Sequence, residues 1–261
     1  MVILFIILVF TLGLCLGSFV NMLVYRTAKK YGILKNKKIN ILNKNRSFCD
    51  FCGKQLKWYE NVPILSWIIQ KGKTRCCGKN LPILYPIIEL MMGILFVIYF
   101  SIGKLQGSPL QCGLGLLIIV LLVFSAVFDW KYMILPDVVT ILLIISALVF
   151  WFLGHFGEWN YFLVALASMG FLLILNLITK GKGMGIGDVK FAFFMGLFLG
   201  YPKVVIAFYV AFIVGALVSL VLLVFKKIKR KAQIPFGPFL ILGTLVAWIW
   251  GNSIWHLVFG I

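Results

Sequence analysis

Residues 183–190 read Gly183-Met184-Gly185-Ile186-Gly187-Asp188-Val189-Lys190, and whether the apolar run beginning there crosses a membrane decides how the rest of the chain threads. Four glycines (Gly181, Gly183, Gly185 and Gly187) interrupt an otherwise apolar tract, and a carboxylate stands where hydrophobicity resumes. Glycine lets the backbone turn or approach a partner closely, and it weakens any helix that tries to run through it. A carboxylate at the mouth of a membrane helix is costly, which points to function. The plainer reading is a loop whose aspartate caps the following helix. This stretch alone supports both.

The composition around it settles the class. The chain is 62% hydrophobic and 12% charged, against roughly half apolar and a quarter charged in a soluble domain. An all-α polytopic membrane protein is the expectation. Apolar segments fall at 2–24, 83–100, 113–129, 138–153, 160–178, 188–201, 204–225 and 237–259. The sixth has only fourteen residues, short of the roughly 20 that a spanning helix needs. The first lacks a basic n-region and is followed by Arg26, Lys29 and Lys30, so it reads as a span with its N-terminus outside rather than a cleaved signal. Cys15 is not a lipidation site, because Leu14 is large where a small residue belongs.

Charge decides the short span. With eight crossings, the regions 26–82, 130–137, 179–187 and 226–236, together with Lys190, lie inside and hold 23 of the 25 Lys and Arg; only Lys104 and Lys203 lie outside. Without a crossing at 188–201, the Lys226-Lys227-Ile228-Lys229-Arg230-Lys231 cluster would fall on the wrong side. The expected organisation is about eight transmembrane helices: a first helix over 1–25, a small cytoplasmic cysteine-containing domain over 26–82, and a seven-helix core over 83–261. The net charge of +18 then reflects topology and contact with anionic lipid headgroups, and implies no nucleic-acid partner.

The 26–82 region carries Cys49-Asp50-Phe51-Cys52-Gly53-Lys54 and Cys76-Cys77-Gly78-Lys79. A Cys-x-x-Cys-Gly-Lys turn offers two thiolates to tetrahedral zinc, and a second pair would close the site. Aligning the two turns puts Thr74 where the second pair should have its first cysteine, while Cys76 adjoins Cys77. Zinc on Cys49, Cys52, Cys76 and Cys77 is the reading, with free structural thiols the alternative. A disulfide is disfavoured in a reducing cytosol. Cys15 and Cys112 read as structural.

Only seven acids occur: Asp50, Glu60, Glu89, Asp129, Asp137, Glu158 and Asp188. The topology puts Asp129 at the inner end of the third span, Asp137 at the start of the fourth and Asp188 at the start of the sixth, all at one depth. Two carboxylates within hydrogen-bond reach share a proton, so one activates water while the other protonates a carbonyl or leaving group. Asp137, after Pro136, reads as a helix start favoured by the dipole. Asp129 sits where the dipole disfavours an acid, and a proton-sharing partner such as Asp188 would explain it. His155 and His256 fall toward the outer side, which argues against a histidine site. Gly93, Gly170, Gly196 and Gly215 read as points of close helix approach.

Read together, several motifs resemble the type IV prepilin peptidases, membrane aspartic proteases with a Gly-x-Gly-Asp signature. They are Gly17-Ser18-Phe19-Val20-Asn21 with Arg26, the paired cysteines, Glu60-Asn61-Val62-Pro63, Tyr85-Pro86-Ile87-Ile88-Glu89-Leu90, Asp129 with Leu135-Pro136-Asp137, Gly183 to Lys190, and Ile234-Pro235-Phe236-Gly237-Pro238. The resemblance implies Asp129 and Asp188 as the catalytic pair. Asp137, Gly185, Gly187, Lys190, Glu89 and Asn21 would support the site or substrate, and Thr74 departs from the family's two Cys-x-x-Cys pairs. It also implies two reactions in the bacterial cytoplasmic membrane: cleavage of the basic leader of pilin-like precursors at the cytoplasmic face, and N-methylation of the new terminus with S-adenosylmethionine. Asn21 and the 235–238 turn would line the donor or substrate pocket. The glycines near Asp188 would leave open backbone beside it. A transporter or proton-coupled channel using the same acids is the rival, although such sites usually lie near the midplane between related halves.

Overall fold

The computed structural model of the chain describes residues 2–33, 47–49, 51–101, 108–154, 156–181, 183–225 and 234–260. Asp50, Lys104, His155 and the Lys226–Lys231 cluster lie outside the described residues. Among the described residues the secondary structure is helical apart from two isolated antiparallel bridges, Phe48 with Gln55 and Lys73 with Asn80. Seven helices are long and apolar enough to cross a membrane: α1 (Val2–Lys30), α3 (Leu84–Ser101), α4 (Pro109–Tyr132), α5 (Asp137–Gly154), α6 (Asn160–Ile178), α8 (Lys203–Val224) and α9 (Gly237–Phe259). A single 3-10 turn (Trp58–Asn61) and the five-residue α2 (Leu65–Ile69) lie between α1 and α3. The eighth expected crossing is α7 (Ile186–Leu199), a helix of 14 residues. The protein is a multi-pass membrane protein.

The chain divides into two compact units, Met1–Gln106 and Gly107–Ile261. In the first, α1 and α3 pack along each other, and the cysteine segment connects them in sequence. In the second, α8 pairs with α9 and α4 with α5 and α9, while α7 touches α5, α6, α8 and α9. Ten of the 14 residues of α7 are buried. A helix apolar on every face belongs inside a bundle. Neighbouring side chains, rather than lipid, therefore receive α7, which is how a helix below spanning length persists here. Phe194 stacks on Phe198 with ring centroids 5.4 Å apart, and Trp248 of α9 meets Phe198 edge-on at 5.0 Å.

The seam between α6 and α7 is set by Gly196. A Cβ there would lie 2.5 Å from Ala165 Cα and 2.7 Å from Val164 O, so only hydrogen fits without moving backbone. Gly93 is likewise crowded by Phe10, whereas a Cβ at Gly170 would meet nothing and one at Gly215 only ordinary contacts. Close approach thus explains Gly93 and Gly196 and not the other two: Gly170 looks onto open space, and Gly215 has room for a methyl group. Gly196→Val should lower the melting temperature of the purified protein by the equivalent of about 1–3 kcal/mol. Gly170→Val should leave it within about 0.5 kcal/mol of the parent. Equal shifts in the two variants would overturn this account of the seam.

Candidate active site

The glycine-rich stretch is built as two helix ends back to back. At the close of α6, Gly181 takes φ +72° and its N–H reaches Asn176 O at 2.9 Å, a left-handed turn that suits glycine. Asn176 also donates from Nδ2 to Met184 O at 2.5 Å, which pulls the loop back against the helix it has just left. Gly185 is extended (φ −80°, ψ 155°) and opens α7, and Asp188 Oδ2 accepts from Gly185 N–H at 3.1 Å. The capping reading of Asp188 is therefore correct, and it occupies only one carboxylate oxygen. A Cβ at Gly187 would come 3.1 Å from Leu135 Cβ, so the α4–α5 connection packs directly on the first turn of α7. A Cβ at Gly183 would be crowded by Thr179, whereas Gly181 faces open space. The four glycines thus have separate duties rather than one shared gap.

Asp129 lies in the last turn of α4, whose C-cap Met133 is left-handed and returns its N–H to Asp129 O at 2.7 Å. A carboxylate there opposes the dipole of α4. The structure supplies a partner that the sequence reading missed: Asp129 Oδ2 accepts from Gly237 N–H at 3.0 Å, and Gly237 is the first residue of α9. A Cβ at Gly237 would stand 2.6 Å from that oxygen. The available signal was Gly237-Pro238, since proline marks the first turn of a helix and hence a cluster of unpaired N–H groups. Asp129 and Asp188 are both buried, at 5% and 8% exposure, and the charge of Asp129 acts on Asp188. Each is anchored through Oδ2 to the first backbone amides of a helix, and neither anchor uses Oδ1.

Asp137 begins α5 and is exposed; Lys190 Nζ donates to its Oδ1 at 2.7 Å. An exposed pair of this kind contributes about 0–1 kcal/mol, and it aligns the starts of α5 and α7. Asn21 and Glu89 belong to the first unit, whereas the aspartate pair and Gly237 belong to the second. Asn21 Nδ2 donates to Tyr85 O at 3.2 Å. Glu89 Oε2 accepts from Ile64 N–H at 2.8 Å, and the Ser18 hydroxyl also bonds to this carboxyl, so its partners are neutral donors. His256 is exposed in the last turn of α9, the end away from Gly237.

The four cysteines come together, with all their Sγ atoms within 4.8 Å of one another. Cys49 and Cys77 are 3.9 Å apart, Cys52 and Cys76 3.2 Å. Two matching turns deliver them. Cys49 N–H bonds to Lys54 O and Gly53 N–H to Cys49 O, while Thr74 N–H bonds to Lys79 O and Gly78 N–H to Thr74 O. Gly53 and Gly78 share positive φ, at 73° and 66°. Thr74 thus occupies the first-ligand position of the second turn, and its hydroxyl contacts Cys77 Sγ at 3.1 Å. Cys76 reaches the cluster from the middle of that turn. Hydrogen bonding from Thr74 lowers the Cys77 thiol to about 7, whereas burial and the neighbouring Cys52 push Cys76 up to about 12. Tetrahedral zinc with Zn–S near 2.3 Å needs sulfurs about 3.8 Å apart, a spacing that four thiols so placed reach with small adjustments.

The matches to known proteins divide as the structure does. Residues 11–102 match the bacterial peptidase A24 N-terminal domain, and residues 116–220 match the type IV leader peptidase family. A prepilin leader peptidase/N-methyltransferase of Bacillus subtilis (strain 168) is 32% identical over 95% of this chain and 95% of its own. The chain belongs to the type IV leader peptidase family. Enzymes of the same name from Aeromonas hydrophila (29% identical, covering 96% of this chain and 93% of their own) and Pseudomonas aeruginosa (28%, covering 96% and 92%) are also similar to this leader peptidase. No solved structure matches it.

Metal analysis of the purified leader peptidase is expected to find about one zinc per chain, lost in Cys49→Ser and Cys52→Ser. A metal content near zero in folded protein would leave the cysteines as structural thiols.

Proposed function

We propose that Asp129 and Asp188 are the catalytic pair of a membrane aspartic endopeptidase, which removes the leader of type IV prepilin-like precursors. The same protein then methylates the N-terminus that cleavage exposes. The observation that carries this reading is the burial of two carboxylates in one unit, with Asp129 placed so that its charge bears on Asp188, each tethered by one oxygen to a helix start. Like charges so placed share a proton. The ionised member takes a proton from water as the water oxygen attacks the scissile carbonyl, and the protonated member gives its proton to the carbonyl oxygen. Collapse of the resulting diol breaks the C–N bond, and the leaving nitrogen takes up a proton from the pair. The two helix N-termini favour negative charge through these steps and need no rearrangement.

The distribution of Lys and Arg supports a cytoplasmic position for this end of the bundle. A precursor whose apolar helix is inserted would present its basic leader on that side. Pilin-like precursors are then the protein partner and membrane lipid the surroundings. The methyl group comes from S-adenosylmethionine, which supplies an electrophilic methyl on a sulfonium. Asp137 and Lys190 hold the α5 and α7 starts in register around the pair. The four cysteines would hold zinc as a staple for a segment too small to stabilise itself by burial. The transporter reading is weaker, because Asp129 and Asp188 stand in terminal helical turns rather than at mid-helix.

Purified protein supplied with a prepilin-like precursor tests the pair. Asp129→Asn and Asp188→Asn should each lower cleavage by roughly three orders of magnitude or more while leaving the protein folded. Wild-type rates in either variant would exclude the assignment. Mass spectrometry of the mature product should show one added methyl group only when S-adenosylmethionine is present. Gly237→Ala should separate anchoring from identity. Its methyl would displace the Asp129 carboxylate, and kcat should fall by about 100-fold although both aspartates remain. An unchanged kcat would show that the Gly237 tether has no part in the reaction.

A further inference from the structure

The first unit contains a cavity of about 360 Å³, and every described residue lining it precedes residue 90. That size falls in the range of small-molecule sites. Its walls come from α1, the 3-10 turn, α2, the two cysteine turns and the start of α3. Asn21 is 93% buried and lines it, and its Oδ1 has no hydrogen-bond partner. An orphaned buried acceptor of this kind costs about 1–3 kcal/mol, so a donor belongs there.

The charge of the walls runs against the rest of the molecule. The chain has 25 Lys and Arg against seven acids, yet among the described residues two of those acids, Glu60 and Glu89, line this cavity and Arg75 is the only basic one. Arg75 is drawn over the ring of Tyr59 at 5.4 Å. Phe19, Tyr25, Trp67 and Tyr85 offer aromatic faces, which suit a purine ring and a cation alike. The wall is also held rigid. Glu60 Oε2 takes Lys57 N–H at 2.7 Å, and Glu89 pins the amide of Ile64, whose φ of 59° is uncommon for a branched residue.

We infer that this cavity is the binding site for the sulfonium nucleoside that donates the methyl group, with Asn21, Glu60 and the aromatic wall recognising it. The inference rests on the methyltransferase reading above and gives it a location within the first unit. In the reaction, the lone pair of the new N-terminal amine forms the N–CH3 bond as the S–CH3 bond breaks. The sulfonium leaves as a neutral thioether, and the proton lost from nitrogen goes to solvent. The acids favour the charged donor over its neutral product, which promotes product release.

Equilibrium dialysis of the full-length protein against S-adenosylmethionine and, separately, S-adenosylhomocysteine tests this without a turnover assay. The wild type should bind S-adenosylmethionine saturably. Asn21→Leu and Glu60→Gln should raise its Kd at least tenfold, with melting temperature and metal content reporting on the fold. Glu60→Gln should weaken S-adenosylhomocysteine, which lacks the sulfonium charge, by less than threefold. Glu158→Gln, an acid of the other unit, should bind as the wild type does. Full affinity in both cavity variants would place the donor elsewhere and overturn the inference while leaving the methyltransferase reading intact. An equal loss of both ligands in Glu60→Gln would overturn charge recognition. A wild type that neither binds the donor nor methylates product would instead sink the methyltransferase reading itself.

Discussion

Burying two carboxylates in an apolar bundle is expensive unless something replaces their water. Here the replacement is the unpaired backbone amides that every helix start exposes. Asp188 uses the cap of α7 and Asp129 uses the first residue of α9, so two helix N-termini converge where negative charge must be held. Much of the second unit follows from that requirement. The α4–α5 connection closes on α7 through Leu135, position 237 admits no side chain, and the loop before α7 is pulled back onto α6 by Asn176. The fold therefore places backbone dipoles first, and the acids occupy the positions those dipoles favour.

Apolar segments located the helices well because lipid and bundle interior impose the same demand on every residue of a span. The expected apolar segment at 188–201 is the helix Ile186–Leu199, which is not among the seven helices long enough to cross a membrane. What hydropathy could not convey was its surroundings, since a run enclosed by four helices and a run facing lipid read alike. The partner of Asp129 was hidden for a related reason. Gly237 lies 108 residues away, and the sequence marks its backbone N–H only indirectly, through the proline that follows it at the start of α9. The expectation that Asp129 needed Asp188 to explain its place was therefore incomplete, because α9 already compensates the unfavourable end of α4.

The first unit was legible in its turns but not in its cavity. Matching Cys-Gly-Lys runs gave the two turns and the displaced Thr74, and the hydrogen bonds repeat between them residue for residue. The resemblance to the prepilin peptidases implies that Asn21 and Glu89 support the site, and both lie in the first unit. Within that unit Glu89 accepts from an amide at the strained Ile64. A strained backbone position depends on φ, which sequence states only indirectly.

The shortness of α7 has a consequence for where hydrolysis takes place. At 1.5 Å per residue its 14 residues rise about 21 Å, against a hydrocarbon layer about 30 Å thick. Residues 179–181 and 183–185, which precede α7, have irregular backbone, and a hydrocarbon layer tolerates such backbone only where protein or water surrounds it. Hydrophobic mismatch, usually a matter of tilt and sorting, would act here as a way of bringing the aqueous phase toward Asp188. Under the proposed function, a membrane-bound precursor would then have less of its own apolar segment to unwind and withdraw.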